Sequence, residues 1–215
     1  MMAAPKRVYV DLDDVICETG PDLLALLEKH FGRRVELEDV TTWDLGVSLG
    51  LGQQELRQFM HYAHEPHVLQ QHRPKPGALE QLARWSNVGV EVWIVTGRPT
   101  QTYSATRDWL AARNVAHTRL VFADKYGNYG GLQEMTDGVE AMPMEQIAGL
   151  RFDLAVEDSA AVAAVLHDEL EIPVALIDQP WNRQMESTPR LRRCQSWEDV
   201  DLMCGDLFAD GTLRA

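Results

Sequence analysis

The sequence predicts an α/β fold built on a doubly wound parallel sheet, with a helical segment inserted after the first strand. Three observations carry this prediction. Short apolar runs bounded by turn residues alternate with amphipathic segments of helical length. The runs are continuously apolar, as in strands that are buried on both faces. One long interval, from Glu18 to Arg73, contains no such run, and it therefore predicts the insertion.

The predicted strands are rich in Val, Ile, Leu or Phe. They are RVYVDL (7–12), VEVWIVTG (90–97), TRLVFAD (118–124), FDLAVED (152–158) and IPVALID (172–178). The predicted helices of the core are 77–87, 100–114 and 159–170, followed by an amphipathic helix at 196–208 that closes the sheet. This order indicates a Rossmann-like sheet, in which ligands bind beyond the carboxyl ends of the strands.

The long interval contains two helix-like stretches, 20–31 and 52–63, and a glycine-rich joint, LGVSLGLG (45–52). An insertion placed directly after the first strand is expected to stand over the carboxyl edge of the sheet. We therefore expect an α/β core made of residues 1–17 and 74–215, with a helical cap made of residues 18–73.

Composition limits the possible partners. The 215 residues carry a net charge of −13 with a pI near 4.9, and 45% of them are hydrophobic. An acidic globular chain lacks the basic face that nucleic-acid polymers require. It can still bind a small anionic metabolite if the site itself concentrates metal ions or cationic groups. Oligomeric state cannot be inferred from composition.

The cysteines, Cys17, Cys194 and Cys204, are scattered and odd in number. They fit free thiols in a reducing compartment better than a disulfide framework or a zinc site. The sequence has no apolar run long enough to span a membrane and no secretory leader pattern at its start. We therefore expect a soluble cytoplasmic protein that does not associate with membranes.

Polar residues that can carry chemistry follow four of the predicted strands. They are Asp11 and Asp13, then Thr96, then Lys125, and finally Glu157 with Asp158. Parallel strands bring these positions to one edge of the sheet. One carboxylate can attack phosphorus, a second can exchange a proton with the leaving oxygen, and a hydroxyl and an ammonium group can hold phosphoryl oxygens. The remaining acids suit Mg²⁺, which prefers oxygen ligands.

These strand ends resemble a known family. DLDDV (11–15), IVTGR (94–98), ADKYG (123–127) and VEDS (156–159) are similar, in order, to the four motifs of the haloacid dehalogenase-like hydrolase superfamily. The resemblance covers residues 7 to 180. It implies a Mg²⁺-dependent phosphatase.

The resemblance also implies roles for individual residues. Asp11 would form an aspartyl-phosphate, and Asp13 would act first as general acid and then as general base. Thr96, Gly97 and Lys125 would bind the phosphoryl group. The residues expected to hold Mg²⁺ are Asp11, the backbone carbonyl of Asp13, Asp158 and, in the first or second coordination shell, Glu157. Asp14 stands where these proteins often carry glycine, and it is assigned no catalytic role.

Each motif alone also fits a structural role, because an Asp after a strand often caps a helix and a Thr-Gly pair often makes a turn. The ordered set favours catalysis. A response-regulator receiver would need a lysine after its last functional strand, and no lysine follows Lys125. The GxxxxGK[ST] motif of P-loop kinases and the GxSxG motif of α/β-hydrolases are also absent from the sequence.

Two closer resemblances compete over the substrate. PWNR (180–183) and TTWD (41–44) are similar to segments of the 5′(3′)-deoxyribonucleotidase-like family, which implies nucleoside monophosphates. VEDSAA (156–161) instead resembles the β-phosphoglucomutase-like branch, which implies sugar phosphates or small organic phosphates. The Glu157-Asp158 pair and the long stretch 126–143 depart from the nucleotidase pattern. A non-catalytic sensor of a phosphorylated ligand is the third alternative.

The candidate substrate contacts lie in the insertion and the loops. Trp43 and Trp181, which have polar neighbours in sequence, are candidates for stacking on a nucleobase. Arg98 and Arg183 are candidates for contacts with phosphate or sugar. Histidines cluster at positions 61, 64, 67 and 72, where solvated or hinge roles are expected ahead of metal binding.

Overall fold

The computed structural model describes residues 6–125, 139 and 141–209. The strands are β1 (Arg7–Val10), β2 (Cys17–Glu18), β3 (Arg73–Pro74), β4 (Glu91–Thr96), β5 (Arg119–Asp124), β6 (Met142–Pro143), β7 (Leu154–Glu157), β8 (Val174–Ile177) and β9 (Leu191–Cys194). The helices are α1 (Gly20–Phe31), α2 (Leu45–Ser48), α3 (Gln53–Ala63), α4 (Pro66–Gln71), α5 (Ala78–Asn87), α6 (Tyr103–Ala112), α7 (Met144–Ala148), α8 (Ala160–Ala164) and α9 (Trp197–Ala209).

Seven strands form one parallel sheet in the order β6-β5-β4-β1-β7-β8-β9. The central strand β1 pairs with β4 on one side and with β7 on the other. The chain first builds the β4 side and later returns to build the β7 side. The carboxyl end of β1 is therefore the point at which the winding reverses, where α/β sheets bind their ligands.

Alternating side chains of β1 point to opposite faces of the sheet, as strand geometry requires. Val8 and Val10 belong to a core shared with α5, α6 and α9, and Tyr9 belongs to a second core that includes Trp93 and Leu166. Because helices cover both faces, the strand has no solvent-facing side. This burial explains the unbroken apolar run in its sequence.

The doubly wound fold and all five predicted strands are confirmed. Each observed strand is shorter than the apolar run that predicted it. The strand β9, which follows the run at 172–178 and lies at the edge of the sheet, was not predicted. The sequence of β9, LRRC, contains two arginines, and charged edge strands do not produce an apolar run. The predicted helix 159–170 is α-helical only as α8 and continues as a π-helical turn, Val165–Glu169.

The segment after β1 has helices and turns between two short strands, because β2 and β3 pair antiparallel where it leaves the core and returns. Its helices α1 and α3 enclose an apolar cluster that includes Leu27 and Phe59, and Trp181 of the β8–β9 connection belongs to that cluster. Within the described ranges, we find no helix with the length and apolar character that crossing a membrane requires.

Candidate active site

The residues after β1 form a tight turn. The backbone N–H of Asp11 donates to the carbonyl of Val156 at 2.9 Å, which extends the sheet by one residue beyond the strand. The N–H groups of Ile16 and Cys17 then return to the carbonyl of Leu12, at 2.9 and 3.0 Å. Asp11 is therefore fixed to the sheet, whereas Asp13 and Asp14 lie in the turn.

Lys125 joins two carboxylates from the adjacent strands β1 and β7. Its Nζ lies 2.9 Å from Oδ1 of Asp11 and 2.7 Å from Oε1 of Glu157. The lysine and glutamate side chains have no exposed surface, so these ion pairs are shielded from solvent. We call Asp11, Lys125, Glu157 and Asp158 the strand-end cluster.

Glu157 is held by donors on both of its oxygens. Oε1 accepts from Lys125 at 2.7 Å and from the Tyr9 hydroxyl at 3.3 Å. Oε2 accepts from the backbone N–H groups of Asp158 and Ser159, at 2.8 and 3.2 Å. Burial acts to raise the pKa of Glu157, but Lys125 and these hydrogen bonds hold the pKa below its ordinary value. Glu157 is therefore the ionised partner of the lysine.

Asp11 and Asp158 lack comparable compensation. Burial, followed by the nearby Glu157 charge, raises the pKa of both carboxyl groups well above the ordinary value. Oxygens of Asp11, Glu157 and Asp158 lie within 4.8 Å of one another, the single acidic group of this kind in the described chain. Three buried acids facing one lysine are a donor set that a divalent, oxygen-preferring cation would neutralise. These residues fit such an ion.

Asp13 is bound by an arginine. Nε and Nη2 of Arg98 donate to its two carboxylate oxygens at 2.8 and 2.6 Å, and the Thr19 hydroxyl donates to Oδ1 at 2.7 Å. The Arg98 side chain is 3% exposed. Burial acts to raise the pKa of Asp13, but the guanidinium of Arg98 holds this pKa well below its usual range. We call Asp13, Arg98 and Thr19 the turn cluster.

In the structure Arg98 pairs with Asp13 and also lines the cavity described below, so its expected contact with phosphate or sugar stays a prediction. Its Nη1 additionally donates to the Thr106 hydroxyl of α6 at 3.2 Å. The sequence offers no signal for this pairing, because the two residues lie 85 positions apart in different motifs.

Asp14 caps a helix. Its carboxylate accepts from the N–H groups of Thr19 at 3.1 Å and Gly20 at 3.0 Å, at the start of α1. Its φ of 53° lies in the left-handed region, which glycine adopts without strain, and this conformation accounts for the glycine common at that motif position. Burial raises the pKa of Asp14 to about 6.

Thr96 ends β4 and is fully buried, and its hydroxyl oxygen accepts from the backbone N–H of Arg98 at 3.1 Å. Gly97, between them, lines the cavity. The Thr96 hydroxyl therefore fixes the turn that presents Gly97 and Arg98, and its own hydrogen meets no acceptor among the described residues.

A cavity of about 810 Å³ opens above the strand ends. Its polar wall includes Asp11, Asp13, Arg98 and Asp158, and its apolar wall comes from the inserted segment. The lining residues are Asp11, Asp13, Thr19, Leu23, Trp43, Asp44, Leu45, Leu56, Met60, Ala63, His64, Leu69, His72, Gly97, Arg98, Pro99 and Asp158. This volume lies within the range of small-molecule sites.

The other three candidate substrate contacts, Trp43, Trp181 and Arg183, occupy three different environments. Trp43 lines the cavity, and its ring lies 4.9 Å from that of Trp181. Trp181 is buried and donates from Nε1 to Oδ2 of Asp158 at 3.0 Å. Arg183 is half exposed, pairs with Glu38 and lies 3.6 Å from Asp178. Trp181 thus orients a strand-end carboxylate, and Arg183 joins the β8–β9 connection to the insertion.

Asn182 is a site residue that sequence reasoning missed. Its amide donates to the carbonyls of Asp158 and Ile177, both at 2.8 Å, and Nη1 of Arg193 in β9 holds its Oδ1 at 2.5 Å. This amide fixes the Asp158 loop to the end of β8. The only signal was its place in PWNR.

The four clustered histidines separate in the structure. His61 and His67 lie outside the cavity, whereas His64 and His72 line it. Burial lowers the pKa of His64 to about 4. In the part of the chain that the structure describes, the histidines form no metal-ligating group. Of the stretch 126–143, residues 126–138 and 140 lie outside the described residues.

Sequence comparisons find a nucleotidase family and relatives that are named nucleotidases. The model of the family described as 5′ nucleotidase, deoxy (Pyrimidine), cytosolic type C protein matches residues 6–131, more than half of the chain. BH1399 of Halalkalibacterium halodurans, provisionally named a nucleotidase, is 25% identical over 195 residues, which cover 91% of this chain and 90% of that protein.

Solved structures share the fold at low identity. One is described as a predicted phosphoglycolate phosphatase from Haemophilus somnus, with a TM-score of 0.64, 16% identity, and coverage of 95% of this chain and 100% of that one. Another is CbbY of Rhodobacter sphaeroides in complex with xylulose-(1,5)-bisphosphate, with a TM-score of 0.61, 12% identity, and coverage of 92% and 96%. The chain therefore belongs to the cytosolic type C 5′-nucleotidase family of haloacid dehalogenase-like hydrolases, and it is a phosphatase.

Proposed function

We propose that the protein is a Mg²⁺-dependent phosphomonoesterase that releases phosphate from nucleoside monophosphates through an aspartyl-phosphate at Asp11. The observation that carries this proposal is the position of Asp11 on the floor of the cavity, between Lys125 and the other buried acids. The protein would act on a small phosphorylated metabolite in the cytoplasm.

Asp11 is oriented for attack through one oxygen. Its Oδ1 accepts from the backbone N–H of Leu12 at 2.7 Å and from Lys125 at 2.9 Å. No described residue donates a hydrogen bond to Oδ2, so that oxygen is the nucleophile we assign. Lys125 would then hold the transferring phosphoryl group together with Thr96 and Gly97.

The Mg²⁺ ligands we assign are Asp11, Asp158 and the backbone carbonyl of Asp13, with Glu157 in a supporting position because both of its oxygens already accept from protein donors. When bound, the ion supplies positive charge against the buried acids and the phosphoryl oxygens. Trp181 keeps Asp158 oriented through its bond to Oδ2.

Asp13 is the acid and base we assign. Paired with Arg98, it is ionised, the state that accepts a proton from water when the aspartyl-phosphate is hydrolysed. To donate a proton to the leaving oxygen in the first step, Asp13 has to separate from the guanidinium. Arrival of the substrate, whose phosphate also attracts Arg98, would supply the competing partner.

The leaving group would occupy the side of the cavity formed by residues 18–73, which we propose to act as a cap domain over the core. Trp43 offers an aromatic face there, and Leu45, Leu56 and Met60 supply apolar surface. A nucleobase fits such a wall better than a small polyol does, because the base has flat apolar faces to bury. Arg183, at the edge of the cap, would steer the phosphate.

A phosphate-release panel tests the proposal. Nucleoside 5′- and 3′-monophosphates, hexose phosphates and small organic phosphates are compared with Mg²⁺ and with a chelator. We expect release from the nucleotides only, and only with the metal. Faster release from sugar phosphates would favour the β-phosphoglucomutase-like alternative, and tight binding without release from any compound would favour the sensor.

A further inference from the structure

His72, between α4 and β3, carries a buried atom that the roles above do not use. Its Nδ1 lies 2.6 Å from Oδ2 of Asp22 in α1, and the imidazole has no exposed surface. Its Nε2 is buried and has no hydrogen-bond partner in the described chain. Because an unpaired buried polar atom costs free energy, such an atom in a site wall indicates a missing ligand group.

The Asp22 contact fixes which hydrogen bond Nε2 can make. The 2.6 Å contact places Nδ1 against a carboxylate oxygen, and we assign the ring hydrogen to Nδ1 because that oxygen accepts it. In the neutral imidazole Nε2 then presents a lone pair. The group that completes this nitrogen is therefore a donor, such as a hydroxyl.

Two parts of the molecule hold His72 in place, one through its backbone carbonyl and the other through its ring. Nε1 of Trp109 and Nη2 of Arg113 both donate to the backbone carbonyl of His72 at 2.9 Å. Trp109 lies in α6 of the α/β core, and Arg113 directly follows that helix, whereas Asp22 lies in the inserted segment. The imidazole is thus set before any ligand arrives, as a specificity contact requires.

His72 shares its cavity with the reaction centre, because Asp13, Arg98 and Trp43 line the same space. A nucleotide with its phosphate at the strand ends and its base on the apolar wall would carry its sugar between the two. We propose that Nε2 of His72 accepts a hydrogen bond from a sugar hydroxyl of the nucleotide, so that His72, positioned by Asp22, selects substrates with a hydroxylated sugar. This inference rests on the proposed nucleotidase function.

The test compares kcat/KM for uridine 5′-monophosphate with that for its 2′,3′-dideoxy analogue. The wild type should prefer the hydroxylated nucleotide about tenfold or more, since the analogue leaves Nε2 unpaired. In His72→Asn the side-chain amide can still donate to Asp22, but nothing replaces Nε2. We expect its preference to fall close to one.

Two further variants separate recognition from structural damage. His67→Asn is the matched control, because the Nδ1 of His67 also contacts a carboxylate, 3.2 Å from Oε2 of Glu65, but its ring is 64% exposed and outside the cavity. It should keep the wild-type preference. His72→Gln places an amide oxygen near the position of Nε2 and should restore part of the preference.

Asp22→Ala keeps the ring and removes the group that fixes its hydrogen, so the preference should fall even if His72→Asn does not fold. A wild-type preference retained in His72→Asn or Asp22→Ala would overturn the inference and leave the nucleotidase proposal standing. A wild type that releases no phosphate from any nucleotide would overturn the proposed function itself, and the inference with it.

Discussion

The strand-end cluster and the turn cluster face the same cavity but are built in different ways. In the strand-end cluster, Lys125 joins Asp11 and Glu157, and the three residues lie at the carboxyl ends of β5, β1 and β7. In the turn cluster, Arg98 holds Asp13 through side chains that rise from loops. The first cluster has excess negative charge, and the second is a balanced ion pair.

This difference teaches where each kind of function belongs. The excess acids of the strand-end cluster have raised pKa values and would gain from a cation, so they suit metal binding and phosphoryl chemistry. The Asp13 side chain of the turn cluster is 23% exposed, against 7% for Asp11 and none for Glu157, so it can exchange protons with a substrate or a water molecule in the cavity. Changes to the two clusters should therefore have different effects.

Asp11→Asn should have the largest effect. Its amide cannot serve as the nucleophile, and we expect phosphate release to fall by roughly 10⁴-fold or more. Asp14→Asn makes the same chemical change three residues away in a helix cap and should retain turnover. Steady-state phosphate-release assays measure the turnover of both variants. Near-ultraviolet circular dichroism verifies their fold. Comparable turnover by the Asp11 variant would reject the covalent mechanism.

Lys125→Met should slow turnover by about 10²–10³-fold and reduce the free energy of unfolding by about 3–5 kcal/mol at neutral pH, because buried acids lose their cation. The lowered pKa of Glu157 contributes stability above its ordinary value of 4.5 that disappears as the pH falls through the lowered pKa.

The difference in urea midpoint between wild type and Lys125→Met should therefore be larger at pH 7 than at pH 4, measured without divalent cations. Lys29→Met, on the exposed end of α1, is the control and should change the midpoint little. A gap that widens on acidification would mean that Glu157 is not the ionised partner.

Arg98→Gln tests the turn cluster. Without the guanidinium the pKa of Asp13 should rise toward its ordinary value, so the ionised base is lost at a higher pH than in the wild type. The acid limb of the kcat profile, which includes hydrolysis of the aspartyl-phosphate, should move upward toward about pH 4, and below that pH the turnover of the variant should fall about tenfold for each pH unit. Arg98→Lys keeps the charge and should shift the limb less. An unmoved limb would separate Asp13 from the base step.

Asp14→Ala should have the smallest effect on turnover, and it should lower the free energy of unfolding by about 2 kcal/mol through the lost cap and the left-handed φ. Asp14→Asn should lower the free energy of unfolding less, because asparagine tolerates that φ and keeps one hydrogen-bond acceptor. The raised pKa of Asp14, about 6, makes its ionisation unfavourable as the pH rises through that value. The free energy of unfolding of Asp14→Asn, measured by urea titration, should therefore increase relative to that of the wild type as the pH rises from 4 to 7.

The sequence predicted the strand-end cluster well because position alone determines it. Asp11, Lys125 and Glu157 each lie at or directly after the end of an apolar run, and parallel strands have only one edge at which such residues can meet. The turn cluster was not predictable as a pair, because Arg98 and Asp13 come together through loop geometry that no periodicity encodes. The contact between His72 and Asp22, 50 residues apart within the insertion, was hidden for the same reason.

The helix after β9 adds a constraint on the order of events during synthesis. Nε1 of Trp197 donates to the carbonyl of Val15 at 2.9 Å, so a late helix supports the turn that carries Asp13 and Asp14. Arg193, just before it, holds Asn182 and thereby the Asp158 loop. A ribosome that has produced the four motifs has therefore not yet produced a finished site, and a nascent chain stalled before Trp197 should be inactive even though every residue assigned to the reaction is already present.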